Sequence, residues 1–399
     1  MQDNRFRLSF PWLLAAILAL ALALRIGGPL SDAQVRHPDE FHFVYWPLYF
    51  ATGDLDPQHT LTAFYPALHY YFLGLLYFVY FILQHLTNGW SLEQFAAYHF
   101  FWDTDSLLQI ARWTGVAFAV GTVAWVAFLA RRIAGPMAGY VAALLVACAP
   151  LHVRQSGLAA VDVPMAFWYV GAVWAAVRLL EKSSWKAYAL AGVLVGLAAA
   201  SKYPGALSAA AVVAAHWSAR RSWWDRRLWI AGALSIATFF CATPYTLLDW
   251  QVFSGHFARE AVHLQGGHGQ SLGVGWWYHI KVSLRYGLGW AGLSLGLAGL
   301  LVAWRSREGR VLIAGFAAYY VVMGSGELVF VRYALPLLVL LAVLAALALT
   351  ALARTCSARS GHMEYMHWPF SHWPNPSMPR FRLLAYRLCQ IPGRRRRSG

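Results

Sequence analysis

Cysteine is scarce. The four in 399 residues, Cys148, Cys241, Cys356 and Cys389, are scattered and form no CxxC pair, which excludes a disulfide framework and a thiolate metal site. Charge is scarce too: 12% of residues are charged against 59% hydrophobic, and mean hydropathy is +0.47. That balance excludes a soluble globular domain and leaves a polytopic membrane protein. Acids are outnumbered by bases, 17 to 32. In a soluble chain the net charge of +15 would suggest nucleic acid. Here the distribution of charge matters more, because Lys and Arg gather on the cytoplasmic face of a membrane protein, and no nucleic-acid partner is expected. No internal repeat is visible, so the inverted-repeat signature of many transporters is missing.

What the sequence has is long apolar runs punctuated by basic clusters. The first, about Phe10 to Leu30, follows Arg5 and Arg7 and reads as an uncleaved span whose far end is outside. Residues 31–107 form an outer segment rich in Asp and Glu. Within it, Thr62 to Gln84 is loaded with Tyr and Phe, which prefer the interface, and reads as a helix lying in or dipping into the outer leaflet. Further spans run from about Leu107 to Leu129, Met137 to Leu158 and Val163 to Leu180. Residues 187–217 are flanked by basic clusters on both sides, so they read as a hairpin of two short arms turning at Ser201-Lys202-Tyr203-Pro204-Gly205. Later spans begin near Leu228 and end near Leu352, for about ten transmembrane helices in an all-α fold. Residues 353–399, with five prolines and the run Arg394 to Arg397, read as a basic cytoplasmic tail meeting anionic lipid.

The organising stretch is Arg36-His37-Pro38-Asp39-Glu40-Phe41-His42, directly after the first span. Pro38 is expected to stop helix extension and to hold two adjacent carboxylates in an extended turn at the membrane surface. Two such acids repel, so at least one should hold its proton more tightly unless cations or a metal balance them, and such a group can take a proton from a hydroxyl. Other ionisable residues at the outer rim fall into acids (Asp162, Glu260, Glu327) and cations (Arg154, Lys202, Arg259, Lys281, Arg285, Arg332). Acids facing cations suit a reaction in which a hydroxyl loses a proton while a phosphate departs. The plainer alternative is charges that pair to hold helix ends together. Lys202 resists that alternative, because nothing in a hairpin turn requires a cation. Glu260 and His263, at i and i+3, could share a helical face beside Glu40 and hold a divalent metal ion.

Four motifs in order give the sequence a likeness. His37-Pro38-Asp39-Glu40 sits in the first outer loop, and Arg154 precedes Val161-Asp162-Val163-Pro164. Gly196-Leu197-Ala198-Ala199-Ala200-Ser201-Lys202 and Val331-Arg332-Tyr333-Ala334-Leu335-Pro336 follow. Together they resemble the lipid-carrier-dependent glycosyltransferases of the GT-C class, particularly glycosyltransferase family 39, which includes protein mannosyltransferases and aminoarabinose transferases. The likeness covers about residues 1–350, and residues 1–352 are expected to form one transmembrane domain. It implies an inverting transferase that moves a hexose or pentose from a polyprenyl-phosphate donor in the membrane to a hydroxyl on a glycan, lipid or protein. Asp39 would be the base, with Glu40 and Asp162 organising the pocket, and Lys202, Arg332, Tyr333 and Arg154 would bind substrate. The active site would lie on the extracytoplasmic side of the plasma (inner) membrane. At Phe64-Tyr65-Pro66 the sequence departs from the Lys-Pro pair expected of aminoarabinose transferases, so His69 or Arg259, with Glu260 nearby, would take over that phosphate contact. The competing class is a transporter or flippase of a lipid-linked saccharide, which needs the cations but no base.

Overall fold

The computed structural model describes residues 4–31, 35–57, 65–266 and 272–357, with residues 4–9 as backbone only. The tail beyond residue 357 lies outside the described residues. The outer-segment helices follow the first span α1 (Asn4–Ala23) and the turn α2 (Gly27–Leu30); they are α3 (Pro38–Tyr49), α4 (Leu68–Asn88) and α5 (Leu92–Phe101). Then come α6 (Thr104–Ala134), α7 (Pro136–Cys148), α8 (Pro150–Ser156), α9 (Asp162–Leu179), α10 (Trp185–Ser201), α11 (Ala209–Ser218) and α12 (Arg226–Ala242). The chain continues through α13 (Tyr245–Leu248), α14 (Trp250–Gly266), α15 (Gly275–Tyr278), α16 (Arg285–Ala303), α17 (Arg307–Gly324) and α18 (Leu335–Ser357). No strand occurs among the described residues. The protein is an all-α polytopic membrane protein.

Five stretches among the described residues are long and apolar enough to cross a membrane: Phe10–Leu30, Leu68–Asn88, Thr104–Ala134, Gly275–Ala303 and Val331–Cys356. The pair α7 and α8, bent by 61°, makes a sixth if it counts as one. The expected figure of about ten includes segments, such as α10 and α11, that are shorter than a straight span. α4 meets that length and apolarity, so nothing in its composition confines it to the leaflet surface. It meets α6 where Tyr77 bonds Leu107 O and where the His69 and Phe72 rings meet Phe118 edge-on.

The centre of the bundle is α18. A helix apolar on every side has no face to offer water and ends up inside, and Leu337 to Ala346 have no exposure at all. α16 reaches it through glycine: a Cβ on Gly299 would sit 2.1 Å from Leu344 O, so only a bare backbone permits that approach. The hairpin expected over residues 187–217 forms. Tyr188 near the start of α10 bonds His216 near the end of α11 (Oη to Nδ1, 2.7 Å), which requires the arms to run antiparallel. Gly205 makes the turn tight, since a Cβ there would lie 2.1 Å from Ala198 O.

At the α7–α8 bend Pro150 supplies no N–H, so the helical donor that would reach Val146 O is missing and that carbonyl accepts instead from Ala149 N–H at 3.3 Å. Fully buried Arg25 adds to this end, donating to Ala147 O at 2.9 Å and Val146 O at 3.1 Å, and it meets His152 Nδ1 at 2.9 Å. This cap fixes the angle of α8, and α8 delivers the loop that ends at Asp162.

Candidate active site

The stretch around Asp39 starts a helix rather than an extended turn. Pro38 occupies the first helical position, where a missing N–H costs nothing, and His37 caps the end by accepting from Asp39 N–H at 3.1 Å. Asp39 and Glu40 thus occupy the first turn, where the helix dipole favours negative charge.

The two neighbouring acids face different partners. Glu40 has no exposure and binds Arg112 twice, Nε to Oε1 at 2.9 Å and Nη2 to Oε2 at 3.0 Å. It also accepts from Ala159 N–H at 3.0 Å and Arg36 N–H at 2.7 Å. Burial pushes its carboxyl up, but Arg112 and the two backbone donors outweigh this and hold it below the ordinary value. The repulsion expected of adjacent carboxylates is therefore relieved by cations, in different directions. Glu40 thereby ties α3 to α6 and to the loop before Asp162.

Asp39 looks into a shared cluster. Its Oδ2 accepts from Tyr65 Oη at 2.8 Å and faces Arg332 Nη2 at 3.1 Å, while Oδ1 lies 3.6 Å from His37 Nδ1. The Arg332 guanidinium also meets the His37 ring. Burial and then Arg332 push the imidazole below its ordinary 6.5, so it adds no charge at neutral pH. Arg332 reaches across to the second acid: its Nε lies 3.5 Å from Asp162 Oδ2. Lys202 Nζ donates to Asp162 Oδ1 at 2.7 Å. Aromatic faces complete the walls, with Tyr333 4.1 Å and Tyr65 5.4 Å from Lys202 Nζ, and Phe330 4.7 Å from the Arg332 guanidinium. The four charges sum to zero, in a site whose side chains are between 1% and 16% exposed.

Each element places its residue for a local reason. Lys202 ends α10 with an extended backbone just before Pro204, so the side chain leaves the helix at the hairpin turn. Arg332 and Tyr333 lie on the 3-10 turn Val331–Ala334 that precedes α18. Pro336, one residue into α18, needs no donor there.

Among the residues the sequence singled out, the structure brings Asp39, Asp162, Lys202, Arg332 and Tyr333 together. Glu260 borders them, half-buried on α14; burial pushes its carboxyl up, and Lys202 is among the cations that oppose this. Arg259, on the same helix, is exposed. Arg154 is exposed at the end of α8 and makes no bond to the cluster among the described residues. His69 is buried in an aromatic nest of Phe43, Phe72 and Phe118, which gives it no anion to meet. Glu260 and His263 share α14 as spaced, but Glu40 is committed to Arg112, and no three His, Cys, Asp or Glu side chains gather into a metal site among the described residues. Sequence reasoning passed over His37, Tyr65 and Arg112. Arg112 carried a readable signal, since an arginine inside an apolar helix needs a buried partner; Tyr65 was hidden among the many tyrosines of its segment.

Residues 104–245 match the family described as dolichyl-phosphate-mannose-protein mannosyltransferase. No curated protein matches the sequence. Among solved structures the chain is similar to ArnT from Cupriavidus metallidurans in the apo state, with 17% identity and a TM-score of 0.61 over 88% of this chain and 62% of that one. It is similar to ArnT from the same organism bound to undecaprenyl phosphate, with 16% identity and a TM-score of 0.60 over 87% of this chain and 60% of that one. It is also similar to the oligosaccharyltransferase of Archaeoglobus fulgidus in the apo form, with 14% identity and a TM-score of 0.57 over 97% of this chain and 54% of that one. The chain therefore spans between 54% and 62% of the length of these structures. With the motifs in order and the helices so arranged, this is a membrane protein with the fold of the GT-C class of glycosyltransferases.

Proposed function

We propose that the protein transfers one sugar from a polyprenyl-phosphate donor to a hydroxyl-bearing acceptor, with inversion, on the extracytoplasmic side of the membrane. The observation that carries this reading is the cluster in which Arg332 spans Asp39 and Asp162 while Lys202 pairs with Asp162. It combines a carboxylate able to accept a proton with cations able to hold a phosphate. Asp39 takes the acceptor's proton, the acceptor oxygen forms the new bond to the anomeric carbon, and the carbon–oxygen bond to phosphate breaks with its electron pair leaving on the phosphate. Lys202 and Arg332 stabilise that departing charge. Asp162 holds both cations in place, and Tyr333 provides the face against which Lys202 rests. The undecaprenyl phosphate bound to ArnT of similar fold supports a lipid-phosphate donor, and the positive-inside distribution supports the outer location.

The test is to supply the purified protein in proteoliposomes with a panel of radiolabelled polyprenyl-phosphate sugars and hydroxyl acceptors. A new glycosidic bond is expected. Movement of the lipid-linked sugar across the bilayer without bond formation would assign the cations to a flippase instead. Sidedness is read by single cysteines in a cysteine-free background: Ser91→Cys is expected to react with an impermeant thiol reagent from outside and Ser222→Cys from inside.

A further inference from the structure

Tyr65 carries no charge in the cluster, yet it touches both halves of it. Its hydroxyl donates to Asp39 Oδ2 at 2.8 Å, and its ring lies 5.4 Å from Lys202 Nζ. The ring packs on Phe43 with centroids 5.6 Å apart, and Phe43 is itself fully buried in the cluster of α3, α4 and α6. A phenol held by its ring in this way cannot swing off its acceptor, which is what a supporting shell requires. Oδ2 of Asp39 therefore has two donors, Tyr65 and Arg332 Nη2 at 3.1 Å, whereas among the described residues Oδ1 faces only the His37 ring at 3.6 Å.

We propose that Tyr65 is the positioning residue of the base: it pins Oδ2 of the ionised Asp39 carboxylate and so presents Oδ1 to the acceptor hydroxyl. This rests on the transferase reading above. The phenol keeps its proton at neutral pH, because burial and then the neighbouring Asp39 and Asp162 push its ionisation well above the ordinary value. It can then only donate to the carboxylate, and donation favours the charged form. Other groups face Asp39 electrostatically: Arg332 and Tyr333 before α18, Lys202 after α10, His37 and His42 around its own helix, and Tyr70 of α4. Asp162 lies beyond Arg332. All of them remain when the Tyr65 hydroxyl is removed, so Tyr65→Phe isolates one donor. A tyrosine here also keeps two acids against two cations, where a lysine would leave the cluster with an excess positive charge.

The test is an infrared titration of the purified full chain in lipid nanodiscs, with Asp39→Asn used to identify the Asp39 carboxyl band. In Tyr65→Phe the band of the protonated acid is expected to appear at a pH about one unit higher than in the parent, a tenfold change in protonation for one lost donor. Site-specific 3-fluorotyrosine at position 65, a stronger donor with the same ring, is expected to move the band to lower pH, and it decides the matter if Tyr65→Phe does not fold. Unmoved bands in both variants would overturn the proposal. In the transfer assay, Tyr65→Phe is expected to move the acid limb of the pH–rate profile upward and to lower kcat with little change in KM for the donor. The titration needs no sugar, so it separates the two readings: moved bands without transfer from any polyprenyl-phosphate sugar would leave the hydrogen bond intact and remove its role in a base.

Discussion

Asp39 and Glu40 are consecutive in the chain, and each meets an arginine from a distant helix, but the two regions they enter differ in kind. The Glu40 region is closed: both oxygens meet Arg112, two backbone N–H groups fill the remaining lone pairs, and neither side chain has any exposure. The Asp39 region is shared and partly open, with Arg332 divided between two acids and Oδ1 facing, among the described residues, only the His37 ring at 3.6 Å. A saturated ion pair gains rigidity and has nothing left to offer a substrate. An unsaturated one can exchange partners. The difference teaches that adjacency of two carboxylates does not make a dyad; the number of donors on each does the sorting.

The comparison can be broken or sharpened by four measurements. Asp39→Asn keeps size and loses the ability to accept a proton, so single-turnover transfer at saturating donor is expected to fall by about 10² to 10⁴. Activity within a few-fold of the parent would move the role of base to Asp162. Glu40→Gln removes the charge that both arms of Arg112 meet in the interior, at an expected cost of about 3–5 kcal/mol in stability, read by thermal unfolding in detergent; adding Arg112→Met should restore part of it. A Glu40→Gln protein that melts like the parent but is inactive would show Glu40 acting on substrate. Lys202→Met should weaken binding of undecaprenyl phosphate by about 1.5–3 kcal/mol, the range for a charged hydrogen bond, and unchanged affinity would make Lys202 a structural partner of Asp162. The smallest effect is acid sensitivity. The Glu40 carboxyl is held below its ordinary value of 4.5 in the folded protein, so its contribution is fully present above that pH and is lost as pH falls through the lowered folded value. The melting temperature of the parent should drop there, and that of the Glu40→Gln, Arg112→Met protein should drop less.

Much of the site was legible because ionisable residues stand out in apolar sequence. Asp162, Lys202 and Arg332 interrupt or flank hydrophobic runs, and charge asymmetry alone implied the hairpin that carries Lys202. The direction each side chain takes was not legible. Nothing in the string Asp39-Glu40 says that one turns to Arg112 and the other to Arg332, since that depends on which helices flank the first turn of α3. His69 misled for a related reason: a histidine near a membrane surface reads as polar, but Phe43, Phe72 and Phe118 close an aromatic nest around it. The helix count was the least legible feature. Hydropathy counts apolar runs, and segments such as α10 and α11, or α7 and α8 with their bend, divide the crossing among pieces that no single window measures.

The burial of α18 bears on biosynthesis. This most apolar helix, which fills the centre of the bundle, is also the last one described, and Arg332 lies on the turn that introduces it. A chain emerging at about 5–20 residues per second makes α6, α7, α9, α16 and α17 before the helix that each of them packs against exists. The cation that bridges the two acids arrives on the turn ahead of α18, so until that turn is made Asp162 has only Lys202, and Asp39 has no cation, among the partners that the described residues give them.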